Sequence, residues 1–173
     1  MTQATTMITV VQGDFAVSAD PSAVMSTVLG SCVAMCLFDA VNRVGGMNHF
    51  LLATSTLAES DDLKYGINAI ELLINRLLKS GAERCHLQAK LFGGARMTDH
   101  ARDIGAGNAA FAKEFLEREG ITCVSSSLGG EQARRVQFVP TTGAARQLQI
   151  AGMAVDETIR PRQVRTPQDI TLF

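Results

Sequence analysis

Cys32 and His49 are the two residues of this sequence whose chemistry is best suited to nucleophilic catalysis. A thiolate is a strong nucleophile, but a free thiol is only a few per cent ionised at pH 7, so it needs a base or a positive charge beside it. An imidazole supplies such a base near neutral pH. If their side chains meet, the two residues predict a thiol hydrolase that acts on an amide or an ester.

A β-hairpin is the element that would bring these two residues together. Residues 32–39 are nearly all apolar, as expected of a strand buried on both faces, and a second strand-like run follows at residues 44–52. A tight turn at residues 40–41 places Cys32 directly opposite His49. Opposed residues project from the same face of a sheet with Cβ atoms about 4.5–5.5 Å apart, which suits a thiol–imidazole pair.

Small and hydroxyl-bearing residues precede Cys32 and offer supporting roles. Gly30 and Ser31 predict a flexible turn whose backbone N–H groups point at a developing oxyanion. Ser26 carries a hydroxyl that could orient the imidazole of His49, as the third member of a triad does. These five residues form the candidate catalytic site.

A structural interpretation of the same residues stays open on chemistry and spacing alone. Cysteine is among the most buried residue types, and in an apolar strand it usually acts as a small hydrophobe. His49 precedes an apolar Phe-Leu-Leu run, which is typical of a hydrogen-bonded core histidine. Ser26 is by default an ordinary strand or turn hydroxyl.

The remaining pattern indicates an α+β protein. Apolar residues recur at helical spacing from Asp62 to a stop at Gly81, and a second helix is expected from Asn108, as its N-cap, to Gly120. Further strand-like runs occupy residues 7–11, 24–29, 85–92, 121–126, 135–139 and 146–150. Because the strands arrive in runs, we expect a sandwich of mixed or antiparallel sheets with two main flanking helices. Residues 1–152 then form a single domain and residues 153–173 a loosely attached polar tail.

Composition excludes several classes of function. The chain has 173 residues, of which 46% are hydrophobic and 19% charged, and a formal net charge of −1. Such a balance lacks the basic surface that binding to nucleic acid requires. No apolar run approaches the roughly 20 residues that cross a membrane, and no secretion signal is visible. We therefore expect a cytoplasmic protein.

The cysteine pattern predicts free thiols and no metal or cofactor. Four cysteines without a secretion signal favour a reducing compartment. Cys32 and Cys36 lie on one strand face, but with a single distant histidine they lack a complete zinc ligand set. Cys85 and His86 are adjacent, so in a strand they point to opposite faces and a shared metal is not expected.

Two segments of the chain carry a resemblance to a known family. Residues 29–39, Leu-Gly-Ser-Cys-Val-Ala-Met-Cys-Leu-Phe-Asp, followed by residues 44–52, Val-Gly-Gly-Met-Asn-His-Phe-Leu-Leu, resemble the signature of the chemoreceptor glutamine deamidases, the CheD family. Residues 89–95, 104–108, 129–130 and 133–136 extend the likeness, which spans about residues 7–150.

This resemblance implies an activity and a role for each residue. Cys32 would be the nucleophile, His49 the base, and Ser26 the hydroxyl residue at a position where family members often carry threonine. The activity implied is deamidation of glutamine side chains to glutamate on the cytoplasmic regions of methyl-accepting chemotaxis proteins. The same apparatus would hydrolyse glutamyl methyl esters. The fold implied is similar to the catalytic domain of cytotoxic necrotizing factor toxins.

Two other functions are alternatives to catalysis. A non-catalytic adaptor would bind receptors or a CheC-type phosphatase and would keep its effect without the Cys32 thiol. A redox or metal sensor would use Cys32 and Cys36 and would reveal itself by bound zinc or by a disulfide.

Overall fold

The computed structural model describes residues 3–52, 60–97, 104–151 and 170–173. Within these ranges the chain forms ten β-strands and two α-helices. In chain order the elements are β1 (Thr6–Thr9), β2 (Phe15–Ser18), β3 (Ala23–Leu29), β4 (Val33–Asp39), β5 (Val44–Phe50), α1 (Ser60–Lys79), β6 (Gln88–Gly93), α2 (Ile104–Glu119), β7 (Thr122–Leu128), β8 (Ala133–Phe138), β9 (Ala145–Ile150) and β10 (Ile170–Leu172).

The strands form two five-stranded mixed sheets, which confirms the predicted α+β class with two main helices. One sheet has the order β1-β3-β8-β9-β10, and the other has the order β2-β5-β4-β6-β7. Each contains one parallel pair, β1 with β3 and β6 with β7, and is otherwise antiparallel. We call them the first and the second sheet. Both helices pack on the second sheet, α1 on β5 and β2, and α2 on β4, β6 and β7.

Strand β4 is the centre of the molecule, and all seven of its residues are buried. Val33, Met35 and Leu37 belong to the core between the second sheet and the helices. Ala34 and Cys36 alternate with them and belong to a second core between the two sheets. This alternation is the period of two that a strand imposes, and it confirms the prediction of a strand buried on both faces.

The register of the β4–β5 hairpin differs from the prediction by two residues. Ala34, and not Cys32, lies opposite His49. The turn comprises four residues, because the Asp39 carboxylate accepts hydrogen bonds from the backbone N–H groups of Val41 and Asn42 at 3.0 and 2.9 Å. A side chain that closes the loop in this way favours a longer turn than the two residues we expected.

Two predicted element boundaries were wrong. Helix α2 begins at Ile104, so Asn108 lies inside the helix and is fully buried rather than acting as its N-cap. The strand expected from residue 85 begins at Gln88, because Arg84–His86 form a single turn of 3₁₀-helix.

The end of the predicted polar tail belongs to the first sheet. Strand β10 pairs antiparallel with β9, and the Phe173 ring lies edge-on against Phe92 with centroids 5.5 Å apart. The main-chain oxygen of Phe173 accepts a hydrogen bond from Lys90 Nζ at 2.9 Å, which links this end to the second sheet. Residues 153–169, the rest of that predicted tail, lie outside the described residues. In the described part of the chain, no helix is long and apolar enough to cross a membrane.

Candidate active site

Cys32 lies where the chain passes from the first sheet to the second. Residues 30–32 connect β3 to β4, so Cys32 precedes β4 and is not part of it. Its side chain is 1% exposed and belongs to the core between the sheets, together with Ala34. Because Ala34 pairs with His49, Cys32 is a diagonal neighbour of His49 on the same face rather than its direct partner.

Three main-chain carbonyls of this connection are fixed by hydrogen bonds. The carbonyl of Gly30 accepts from Ala95 N at 3.0 Å, and that of Cys32 accepts from Gly94 N at 2.8 Å. The carbonyl of Ser31 accepts from the side-chain amide of Asn108 at 2.9 Å. Sequence reasoning missed this role of Asn108, whose buried amide connects the Cys32 segment to α2.

Gly93 is required by its contact with Cys32. A Cβ atom at Gly93 would lie 2.1 Å from the main-chain oxygen of Cys32, and its φ of 114° is one that side-chain-bearing residues rarely adopt. The glycine therefore allows β6 to approach the nucleophile segment closely. The next residue, Gly94, donates the hydrogen bond that fixes the Cys32 carbonyl.

His49 is oriented by a hydroxyl from the first sheet, and that hydroxyl belongs to Thr27. Thr27 Oγ1 lies 2.8 Å from His49 Nδ1 and 2.7 Å from the carbonyl oxygen of Val10. A hydroxyl has one hydrogen, and the Val10 carbonyl can only accept, so Oγ1–H donates to Val10. Oγ1 then accepts from Nδ1–H, and this assignment leaves the lone pair of the neutral ring on Nε2.

Ser26 does not occupy the position that we predicted for it. Alternate residues of β3 are buried, and the buried set is Ala23, Met25, Thr27 and Leu29. Ser26 is out of phase with this set, so it projects from the other face of the first sheet. Thr27 therefore replaces Ser26 beside the imidazole. A polar residue in phase with an apolar face was the signal that could have identified it.

The loop between β1 and β2 closes over this region. The N–H of Gly13 donates to the carbonyl of His49 at 2.8 Å, and the N–H of His49 donates to the carbonyl of Asp14 at 3.1 Å. Between these anchors and Val10, the exposed residue Gln12 places its Oε1 3.9 Å from the Sγ of Cys32. Nothing in the local sequence pattern had indicated Gln12.

A buried arginine supports the segment beneath Cys32. Arg134 is 2% exposed, and it donates to the main-chain carbonyls of Ser127, at 2.7 Å, and Gly129. Gly129 in turn donates its N–H to Gly93 at 2.9 Å. Burial lowers the pKa of the Arg134 guanidinium. Arg134 thus holds the two sheets together next to the site.

The other cysteines lie apart from this chemistry. Cys36 is fully buried, and burial raises the pKa of its thiol, although the charge of Lys90 opposes this effect. At the far end of β4, the ligand atoms of Glu83, Cys85 and His86 lie within 4.8 Å of one another. The 3₁₀ turn points Cys85 and His86 to the same side, contrary to the prediction for a strand. That group could hold a metal ion, but β4 separates it from Cys32 by about 20 Å.

Comparisons with known proteins give consistent matches. Residues 51–148 match the family model described as CheD chemotactic sensory transduction. The probable chemoreceptor glutamine deamidase CheD 1 of Ruegeria sp. is 53% identical over 149 residues, which cover 86% of this chain and 80% of that protein. The probable chemoreceptor glutamine deamidase CheD of Rhizobium etli is 46% identical over 170 residues, which cover 94% and 92%. Among solved structures, a Neisseria meningitidis protein of family DUF152 gives a TM-score of 0.45 at 14% identity, covering 68% of this chain and 53% of that one.

Proposed function

Because this chain belongs to the CheD family, we propose that it deamidates glutamine side chains of chemoreceptors and leaves glutamate in their place. Relatives that align with most of this chain bear that activity in their names. The observation that supports it most strongly is the Thr27–His49 hydrogen bond, since it presents a basic Nε2 in the space between the sheets that Cys32 also faces.

The proposed reaction begins with the thiol. His49 Nε2 takes the proton of Cys32, and the thiolate attacks the carbon of the substrate carboxamide. The oxygen of that group becomes an oxyanion, which backbone N–H groups of residues 30–32 stabilise. The fixed carbonyls of Gly30, Ser31 and Cys32 support this step, because they hold the segment in one conformation.

The second half of the reaction releases ammonia and restores the thiol. The imidazolium of His49 returns its proton to the departing nitrogen, and a thioester forms between the substrate and Cys32. His49 then takes a proton from water, and the resulting hydroxide attacks the thioester carbon. The C–S bond breaks, which leaves a carboxyl group on the substrate, and the imidazolium returns its proton to the Cys32 thiolate. Thr27 Oγ1 accepts a hydrogen bond from Nδ1–H throughout, which stabilises the imidazolium. The net reaction consumes one water and replaces a neutral carboxamide with a carboxylate.

The same residues would act on glutamyl methyl esters, because a methoxide is an easier leaving group than an amide nitrogen. We also propose that the protein acts in the cytoplasm, on the cytoplasmic region of the receptor, and that a CheC-type phosphatase is a second partner. We also propose that the sandwich is similar to the catalytic domain of cytotoxic necrotizing factor toxins, which superposition of the described residues on such a domain tests.

Mass spectrometry of receptor cytoplasmic fragments tests the proposed activity. Wild-type protein should add about one dalton at specific glutamines, as conversion of an amide to an acid requires, and Cys32→Ala should abolish the change. Cys85→Ala is the matched control, because Cys85 is an exposed thiol far from the site. If the protein were a non-catalytic adaptor, the Cys32→Ala variant would alter signalling in cells as well as wild type does. That result would refute the proposal, and so would unchanged receptor masses with the wild-type protein.

A further inference from the structure

Access to the Cys32 thiol presents a problem that the proposed reaction must solve. Cys32 is 1% exposed, yet a carboxamide has to reach its sulfur. The side chain of Gln12 is exposed and lies against that sulfur, with its Oε1 3.9 Å from Sγ. Movement of Gln12 would therefore uncover the thiol on the solvent side.

The position of Gln12 is set by the site itself. On one side of it, the carbonyl of Val10 accepts the hydroxyl hydrogen of Thr27 at 2.7 Å. On the other side, Gly13 and Asp14 bond to both main-chain groups of His49, at 2.8 and 3.1 Å. Gln12 thus lies between an anchor on Thr27, which orients the base, and an anchor on His49, the base itself, and its loop is held over the thiol.

Gln12 also carries the functional group that the proposed reaction acts on. Its side chain ends in a carboxamide, the same group as a substrate glutamine. In the observed contact the thiol donates towards the carboxamide oxygen. Attack would require that oxygen to face the oxyanion donors and the carbon to face the sulfur. The contact therefore occupies the thiol without leading to hydrolysis.

From these contacts we infer that the Gln12 side chain is an intramolecular competitor of the substrate, which covers the thiol that a substrate carboxamide must reach and thereby sets the KM of the site. This inference rests on the proposed deamidation for its substrate, but occupancy of the thiol is a property of the protein alone. A receptor glutamine gains access only in the fraction of molecules in which Gln12 has moved away. Apparent affinity falls in proportion to that fraction, while kcat is unaffected.

Alkylation of Cys32 by iodoacetamide measures this occupancy without any receptor. The Cys32 peptide is quantified by mass spectrometry in wild type, in Gln12→Ala and in the control Gln88→Ala, which removes an exposed glutamine at the far end of the second sheet. If the contact is closed two-thirds of the time, Gln12→Ala is alkylated about threefold faster, and Gln88→Ala is unchanged. With a receptor fragment, Gln12→Ala should lower KM by the same factor at constant kcat.

Three results would overturn the inference. Unchanged alkylation in Gln12→Ala would show that Gln12 does not cover the thiol. A fall in kcat for Gln12→Ala would show that its amide assists the reaction rather than competing with the substrate. A Cys32-dependent gain of about one dalton at Gln12 would show that the residue is consumed as a substrate. Because alkylation needs no receptor, failure of the deamidase proposal alone would leave the alkylation result interpretable.

Discussion

Replacing Thr27 by valine is the change that most directly tests how the imidazole is oriented. Valine keeps the branched shape of threonine and removes the hydroxyl that bonds both His49 Nδ1 and the Val10 carbonyl. Both partners are buried, and each buried polar group left without its hydrogen bond costs about 1–3 kcal/mol. We expect the free energy of unfolding to fall by about 2–6 kcal/mol, against a total of about 5–15 kcal/mol for an ordinary domain.

The effect on catalysis follows from the tautomer. Without a hydrogen-bond acceptor beside Nδ1, the hydrogen of the neutral ring is no longer held on Nδ1, so Nε2 is not always free to act as the base. The imidazolium also loses one stabilising hydrogen bond. A loss of about 1.4–2 kcal/mol of transition-state stabilisation lowers kcat/KM by about 10- to 30-fold. Thr27→Ser keeps the hydroxyl and should retain most of the activity. Ser26→Ala alters a hydroxyl on the other face of β3 and should match wild type.

The assay compares these three variants with wild type on one receptor fragment. Deamidation is measured by mass spectrometry, and the fraction folded is measured by urea unfolding, so that lost activity is corrected for lost stability. Folded Thr27→Val with wild-type kcat/KM would refute the role of the hydroxyl. A loss in Ser26→Ala as large as that in Thr27→Val would restore the prediction made from the sequence and refute the assignment made from the structure.

Two further predictions concern the backbone near Cys32 and the β4–β5 turn. Gly93→Ala places a Cβ 2.1 Å from the Cys32 oxygen and should abolish deamidation by the folded protein. Gly120→Ala is the control: its φ is also positive, but no atom lies within 4 Å of the added Cβ, so it should lower stability and leave activity unchanged. Deamidation and urea unfolding of both variants check this. Burial raises the pKa of the Asp39 carboxyl, but hydrogen bonds from Glu83 and Asn42 outweigh it and hold that pKa at about 2. Folding therefore favours the ionised carboxylate of Asp39. This effect contributes about 2 kcal/mol to the free energy of unfolding above pH 4, and the contribution is lost as the pH falls to 2. Urea unfolding measured at several pH values should show the loss in wild type and not in Asp39→Asn.

Local sequence patterns were sufficient for much of the fold. The helical period of α1 and the uninterrupted apolar run of β4 are both consequences of burial, and both elements were predicted at nearly the correct positions. The α+β class followed from the order of these elements along the chain. Patterns of this kind are reliable because the buried positions that require apolar residues are also the positions whose packing stabilises the element.

Features that depend on particular hydrogen bonds or on very short elements were missed. The two-residue error in the hairpin register arose because the Asp39 carboxylate closes a four-residue turn, which hydrophobic periodicity does not report. Strand β10 escaped prediction because it has only three residues, too few to show the alternating pattern of a strand. The contacts of Gln12 and Asn108 with the Cys32 segment are tertiary, and no local pattern distinguishes these residues from other polar ones.

The error of one residue between Ser26 and Thr27 has a more general cause. Ser26 lies six residues before Cys32, and the intervening residues 30–31 have a conformation that the sequence does not determine. The number of residues between Ser26 and Cys32 therefore does not tell which face of the sheet Ser26 projects from. Adjacent strand residues point to opposite faces, and a shift of one residue therefore exchanges the core for the surface. The buried residues Ala23, Met25 and Leu29 mark the face of β3 that points to the core. Thr27 is the polar residue on that face, so it is the one whose hydroxyl can reach His49. When a hydroxyl must reach a histidine between two sheets, alternation with the buried apolar residues of its strand is thus stronger evidence than its separation from the nucleophile along the sequence.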